Sequence, residues 1–211
     1  INGRKRAQQF VDKINAQDPD IVLLAGDVVD GALAPVVRRD LGKILGQIKS
    51  KHGVFAVTGN HEYIGTVEAT VKYLELHGIR VLRDEVIEVA DLSIIGREDL
   101  SFNRAYGRRR TELSELVANL DKTKPIIMMD HQPFHLEQAE QNGIDFQLSG
   151  HTHHGQFWPI NHITNRVYEV SWGYKLKSNT HVYVSCGAGT WGPPVRIGSS
   201  PEIMRVEMTF T

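Results

Sequence analysis

The sequence holds a single cysteine, Cys186, which excludes an internal disulfide framework and leaves the redox compartment undetermined. No uninterrupted apolar run approaches the roughly 18 residues that span a bilayer. Charge of one sign is not in excess either. Twenty-four Lys and Arg stand against 25 Asp and Glu, a formal net charge of -1, so no global basic field advertises a nucleic-acid partner. There is no internal repeat, no low-complexity tract and no linker, and residues 1–211 read as one domain large enough for a substantial core. The chain also lacks an initial methionine. Because it opens on Ile1, native sequence is expected ahead of it, where any signal peptide or anchor would lie.

What is present alternates between two periodicities. Ala7, Phe10, Val11 and Ile14 form the stripe of an amphipathic helix, stopped at Asp18-Pro19 because a residue before proline is pushed out of the helical region. The apolar run 21–25 predicts a strand buried on both faces. A second stripe, Val37, Leu41, Ile44, Leu45 and Ile48, predicts one helix, and 54–57 another buried strand. A helix over 66–77 starts with Thr66 as N-cap. Two short strands, 86–89 and 92–95, flank a turn at Ala90-Asp91, and the polar stretch 97–110 reads as a loop. Leu113, Leu116, Val117 and Leu120 give a further helix. Strands at 126–129 and 146–148 enclose a helix over 138–142 that stops at Gly143. The C-terminal third reads as strands, 182–185 and then 203–210 with alternating Met204, Val206, Met208 and Phe210. The expected class is α/β.

Four buried strands end in polar clusters: Gly26-Asp27, Gly59-Asn60-His61-Glu62, Asp130-His131 and Gly150-His151-Thr152-His153. Taken singly, each has a bland reading: a strand-to-loop turn, a helix cap, a core histidine bonded to backbone. Taken together at four strand ends, they predict a site, since ligands in open α/β sheets gather beyond the carboxyl ends of the strands. One carboxylate, one amide oxygen and four imidazoles suit Mn²⁺, Fe or Zn²⁺ better than the all-oxygen shells of Ca²⁺ or Mg²⁺. On an extended segment, His151 and His153 would present their rings on the same side.

Gly26-Asp27-Val28-Val29-Asp30, Gly59-Asn60-His61-Glu62, His131 and Gly150-His151-Thr152-His153 resemble the ordered blocks of the calcineurin-like metallophosphoesterases. Gly155-Gln156, Trp158-Pro159, the stretch 187–196 and Pro201-Glu202-Ile203 are similar to the membrane-associated bacterial branch of that superfamily. The resemblance implies a two-sheet β-sandwich flanked by helices, an αββα fold, with a dinuclear centre at its edge. It implies that Asp27 bridges two divalent metals, that Asn60, His131 and His151 complete one site, and that His153 belongs to the other. His61 would protonate the leaving oxygen or stabilise developing charge while a metal-activated hydroxide attacks in line. The family's first block, Asp-x-His at the end of the first strand, is absent, and Asn2-Gly3 resembles the residues immediately downstream of that block. The second metal site is therefore expected to be incomplete and the first strand missing.

The resemblance also implies a phosphate-ester substrate, small or lipid-linked, and membrane association through sequence upstream of Ile1. No obligate protein partner is expected. His154 and Arg97 are candidate substrate contacts, and Asp99 a candidate support for the ligands. Trp158, Trp172 and Trp191 with Phe157, Tyr168 and Tyr174 form either an apolar rim for a lipid or a cover over the sandwich edge. Two other functions compete. A metal-poor protein-binding scaffold has no need of the Asn60-His61 pair, and a nuclease would need a basic stripe that is not there.

Overall fold

The computed structural model describes residues 3–209. Two sheets face each other. The first is parallel and runs in the order β1 (Val22–Leu24), β2 (Val54–Val57), β3 (Ile79–Leu82). The second contains β4 (Glu85–Val89), β5 (Leu92–Gly96), β6 (Ile126–Met129), β7 (Phe146–Ser149), β8 (Gly173–Lys177) and β9 (Thr180–Val184), in the order β4-β5-β6-β7-β9-β8. Its centre, β5 to β6 to β7 to β9, is parallel, and an antiparallel strand closes each side. The α/β sandwich expected from the sequence is present.

Period-2 alternation explains the layers. In β2, Phe55 and Val57 point between the sheets while Val54 and Ala56 point outward; in β6, Ile127 and Met129 face inward while Ile126 and Met128 face outward. The inward set, with Leu82, Ile94 and Leu148, forms the core between the sheets. Outside the first sheet lie α1 (Arg4–Asn15), α2 (Leu33–Arg38), α3 (Leu41–Leu45) and α5 (Val67–Glu75), which bury Ala7, Val11, Leu41, Ile44 and Leu74. Outside the second lie α7 (Leu113–Val117) and α8 (Leu136–Asn142). The short helices α4 (Asn60–Ile64), α6 (Ser101–Tyr106) and α9 (Asn161–Val167) sit in connections.

Several expectations need correction. The stripe from Val37 to Ile48 is two helices, because Asp40 adopts a left-handed conformation (φ 53°); the break rotates Val36 into the core and leaves Val37 49% exposed. The polar stretch 97–110 is not all loop but contains α6. The C-terminal third contains α9 and the hairpin of β8 and β9. No ladder pairs residues 203–209 with a described strand, although Met204 and Met208 pack on the inter-sheet core as the alternation predicts. Phe210, the last residue of that expected strand, and Asn2 lie outside the described residues. β1 is buried less evenly than its apolar run suggests. Leu23 and Leu24 are half-buried because they line a cavity of about 730 Å³, with Ile127, Phe146, Met204 and Met208 on its other walls. Asp27, His61, His131, His151 and His153 line the same cavity. Among the described residues, no helix is long and apolar enough to cross a membrane.

Candidate metal centre

The chain leaves β1 through Gly26 and Asp27, both at positive φ (83° and 51°). Gly26 is dictated by space as well as by conformation. A Cβ there would stand 2.5 Å from His131 Nδ1. The turn aims the Asp27 carboxylate across the gap between the sheets, where Oδ2 lies 3.0 Å from His131 Nε2 and Oδ1 accepts the His61 backbone N–H at 2.9 Å. After β2, the chain enters α4 at once, placing Asn60 in its first turn. Asn60 Oδ1 lies 3.2 Å from His131 Nε2 and 2.8 Å from His151 Nδ1. The sequence-predicted residues Asp27, Asn60, His131 and His151 therefore meet, two from each sheet.

The tautomer of His131 is set by its other nitrogen. Nδ1 lies 2.6 Å from the Ala25 carbonyl, which can only accept, so Nδ1 keeps its proton and Nε2 is the nitrogen that can give up its own proton to an ion in the cluster. Ligand atoms of Asp27, His131 and His151 lie within 4.8 Å of one another. This donor set, with Asn60 Oδ1 in contact with both imidazoles, fits a first-row divalent ion. The electrostatics without an ion show what such an ion replaces. Burial opposes charge on His131, yet the Asp27 carboxylate raises it to about 9. Burial likewise resists ionisation of Asp27, but His131 holds it down at about 2. Burial and the neighbouring His131 push His151 down to about 4. A positive charge is thus already held between Asp27 and the imidazoles.

The other predicted residues are placed differently. His61 lies beside the cluster with Nδ1 2.7 Å from Asp30 Oδ1, an acid–histidine pair that leaves Nε2 as its working atom. His153 lines the cavity but not the cluster. The segment is not extended as expected: His151, His153 and His154 have φ of 67°, 49° and 49°, and a 3₁₀ turn spans His153–Gly155, so the two rings do not share a side by alternation. Arg196 donates to His153 Nδ1 at 3.2 Å and to the carbonyls of Cys186, Gly187 and Gly189. His154 packs on Trp172 (ring centroids 4.8 Å apart), away from Asp27. Arg97 lies outside the cavity, 2% exposed, paired with Asp84. Asp99 is fully buried and accepts from Gln132, next in sequence to His131.

Two residues within the sequence motifs have specific contacts that the motifs did not assign. Glu62 is 1% exposed and accepts the N–H groups of Asp27, Val29 and Gly59 at 3.1, 2.9 and 2.8 Å, stapling the Asp27 turn to α4. Burial and the Asp27 charge raise it to about 7. Asp30 is the partner of His61. Arg196 had no assigned role either, and only its fold-dependent approach to His153 reveals one.

The sequence profile of the calcineurin-like phosphoesterase family matches residues 2–155. An uncharacterized metallophosphoesterase of Helicobacter pylori is 32% identical over 196 residues, which cover 92% of this chain and 52% of that protein. Another, from Aquifex aeolicus, is 34% identical over 193 residues, covering 90% of this chain and 73% of that protein. A Danio rerio protein described as a transmembrane protein with a metallophosphoesterase domain is 31% identical over 216 residues, 97% of this chain and 49% of that one. The chain spans about half the length of the first of these relatives. Among solved structures, the NAD nucleotidase of Haemophilus influenzae superimposes with a TM-score of 0.55 over 87% of this chain and 43% of its own, at 18% identity, a likeness of fold alone.

Proposed function

Since the chain belongs to the calcineurin-like phosphoesterase family, whose members are metal-dependent hydrolases of phosphate esters, we propose that it cleaves a phosphate ester beside two divalent ions, Mn, Fe or Zn. The observation that carries this reading is the meeting of Asp27, Asn60, His131 and His151, with His131 touching both Asp27 and Asn60 and His151 touching Asn60. When bound, the ions polarise the phosphoryl group and make water acidic enough to attack at neutral pH. This chain's residues do the rest. Asp27 would be a ligand at both positions. Asn60, His131 and His151 would hold the first ion with it. His61, held through Nδ1 by Asp30, delivers a proton from Nε2 to the departing oxygen. Glu62 keeps Asp27 at its angle.

The second position has Asp27 and His153, and His153 Nδ1 is engaged by Arg196. The cavity beside β1 runs down to Asp27 and to His153 at this second position. Exposed Trp158, Ile160, Ile163, Val167, Trp172 and Trp191 support action at a membrane surface on a lipid-linked substrate, in keeping with the description of the Danio rerio relative. A small phosphate ester is the other substrate class, and the two share the same reacting bond. The scaffold reading leaves the Asp30–His61 pair without a purpose.

The test is hydrolysis of bis-(4-nitrophenyl) phosphate with Mn²⁺ by the chain extended upstream, native and His61→Ala. His61→Ala is expected to lose on the order of 10²–10⁴ in kcat while keeping its metal, the range of a lost general acid. Equal rates remove the role of His61. No turnover by either, with metal analysis showing an empty centre, leaves the scaffold.

A further inference from the structure

We infer that the chain carries a second anion site, independent of metal, in a pocket where Arg97, Arg109 and Arg110 meet and which takes a phosphate- or sulfate-sized oxyanion. The pocket, about 150 Å³, lies where α6, the 107–112 connection and the start of α8 come together, and none of its lining residues lines the cavity that holds Asp27 and the histidines.

The starting observation is an unmet donor. Arg97 is 2% exposed, its Nε pairs with Asp84 at 3.3 Å and its Nη2 donates to the Thr111 carbonyl at 2.8 Å. Its Nη1 is buried and has no acceptor among the described residues. A buried guanidinium N–H without a partner is costly, and native proteins rarely leave one so. Arg110 stands beside it with its own fork filled: Nη1 on Asp130 Oδ1 and the Glu98 carbonyl, Nη2 on Asp130 Oδ2 at 2.9 Å. Its charge, after burial itself, lowers the proton affinity of Arg97, so the two guanidinium groups act on each other. Asp84 and Asp130, neither of which lines the pocket, pair with Arg97 and Arg110. Arg109 at the exposed mouth brings a third guanidinium, without an ion pair among the described residues, and Asn103 and His135 add further polar groups to the wall. Among the described residues, Glu112 is the one carboxylate on the lining, and it is exposed.

This chemistry selects an oxyanion. Guanidinium groups match the geometry of phosphate and sulfate, and charge-assisted bonds to them are the strong class. The volume corresponds to about five waters at roughly 30 Å³ each, enough for one phosphate with part of its hydration and too little for a nucleotide. The same volume filled with water alone is the competing outcome.

Calorimetric titration of inorganic phosphate into the metal-free, chelator-treated chain separates this pocket from the metal centre. One phosphate is expected to bind, with sulfate competing and chloride inert. Arg109→Glu changes an exposed side chain and leaves the buried ion pairs alone; it is expected to weaken binding at least about tenfold. Arg97→Gln, where it folds, is expected to abolish it. In the metal-loaded chain, Arg109→Glu is expected to remove one of two bound phosphates. Absence of phosphate binding by the metal-free, folded chain at about 10 mM, or unchanged affinity in Arg109→Glu, overturns the site.

Discussion

Asp27 and His131 show how two side chains can store the position of an absent charge. Their 3.0 Å contact is an ion pair only while His131 carries a second proton; burial works against that charge, and Asp27 outweighs it and holds His131 at about 9. An unfolded histidine titrates near 6.5, so this contact contributes stability that is complete below about pH 6.5 and disappears as pH rises through 9. His151 and His153 work in the opposite sense. Burial keeps both neutral to about 4, so folding costs increasingly more as pH falls from 6.5 toward that value. A divalent ion needs the Nε2 lone pair of His131 and must displace its proton. Metal affinity should therefore rise with pH across the window 6.5 to 9, with about one proton released per ion at pH 7.5. Titration of Mn²⁺ in two buffers of different ionisation enthalpy measures that proton count. A heat independent of buffer would contradict the protonated pair.

At the scale of elements, α4 is the piece that turns a strand end into half a site. Gly59 precedes it with extended backbone (φ -117°), so conformation does not require glycine there. Space does. A Cβ on residue 59 would sit 2.2 Å from Asp27 Oδ1 and 2.6 Å from Asp27 N. Gly59→Ala should therefore push the Asp27 turn off its three-bond hold on Glu62 and lower metal affinity at least about tenfold, with a stability loss of about 1–3 kcal/mol from disturbed buried N–H groups. Urea unfolding and metal titration of the variant read the two effects separately. A variant that binds metal normally would show that the turn tolerates the shift.

This element also marks where the sequence was legible. The runs at β2, β6 and β7 announced strands because each is buried on both faces, and the polar residues after each apolar run announced the site. Asn60, His131 and His151 could be placed for that reason alone. α4 and α6 were not legible, since helices of five and six residues have too few turns to show a stripe. The split between α2 and α3 was hidden because Asp40, at left-handed φ, carries no sign of it in the apolar spacing. The positions of His153 and Arg196 depend on backbone turns at 151–156 and on a residue 43 positions away, which no local pattern encodes.

For the whole molecule, the arrangement makes the site a joint between two sheets. Asp27 and Asn60 follow β1 and β2 of the first sheet; His131 and His151 follow β6 and β7 of the second. Beneath them the sheets are held by apolar packing, so close at Gly96 that a Cβ there would stand 2.1 Å from Leu82 Cβ. An ion bound by all four side chains links both sheets at once, and because it binds only the folded arrangement, it must stabilise the whole fold. At a hundred times its dissociation constant that linkage amounts to about 2.7 kcal/mol. For a chain of 211 residues this corresponds to a rise in melting temperature of about 5–10 °C. His151→Ala should abolish most of the rise, because it removes one of only two ligands from the second sheet. If Mn²⁺ raised the melting temperature of His151→Ala as much as that of the native chain, the ion would be acting elsewhere and the sheets would not be joined through it.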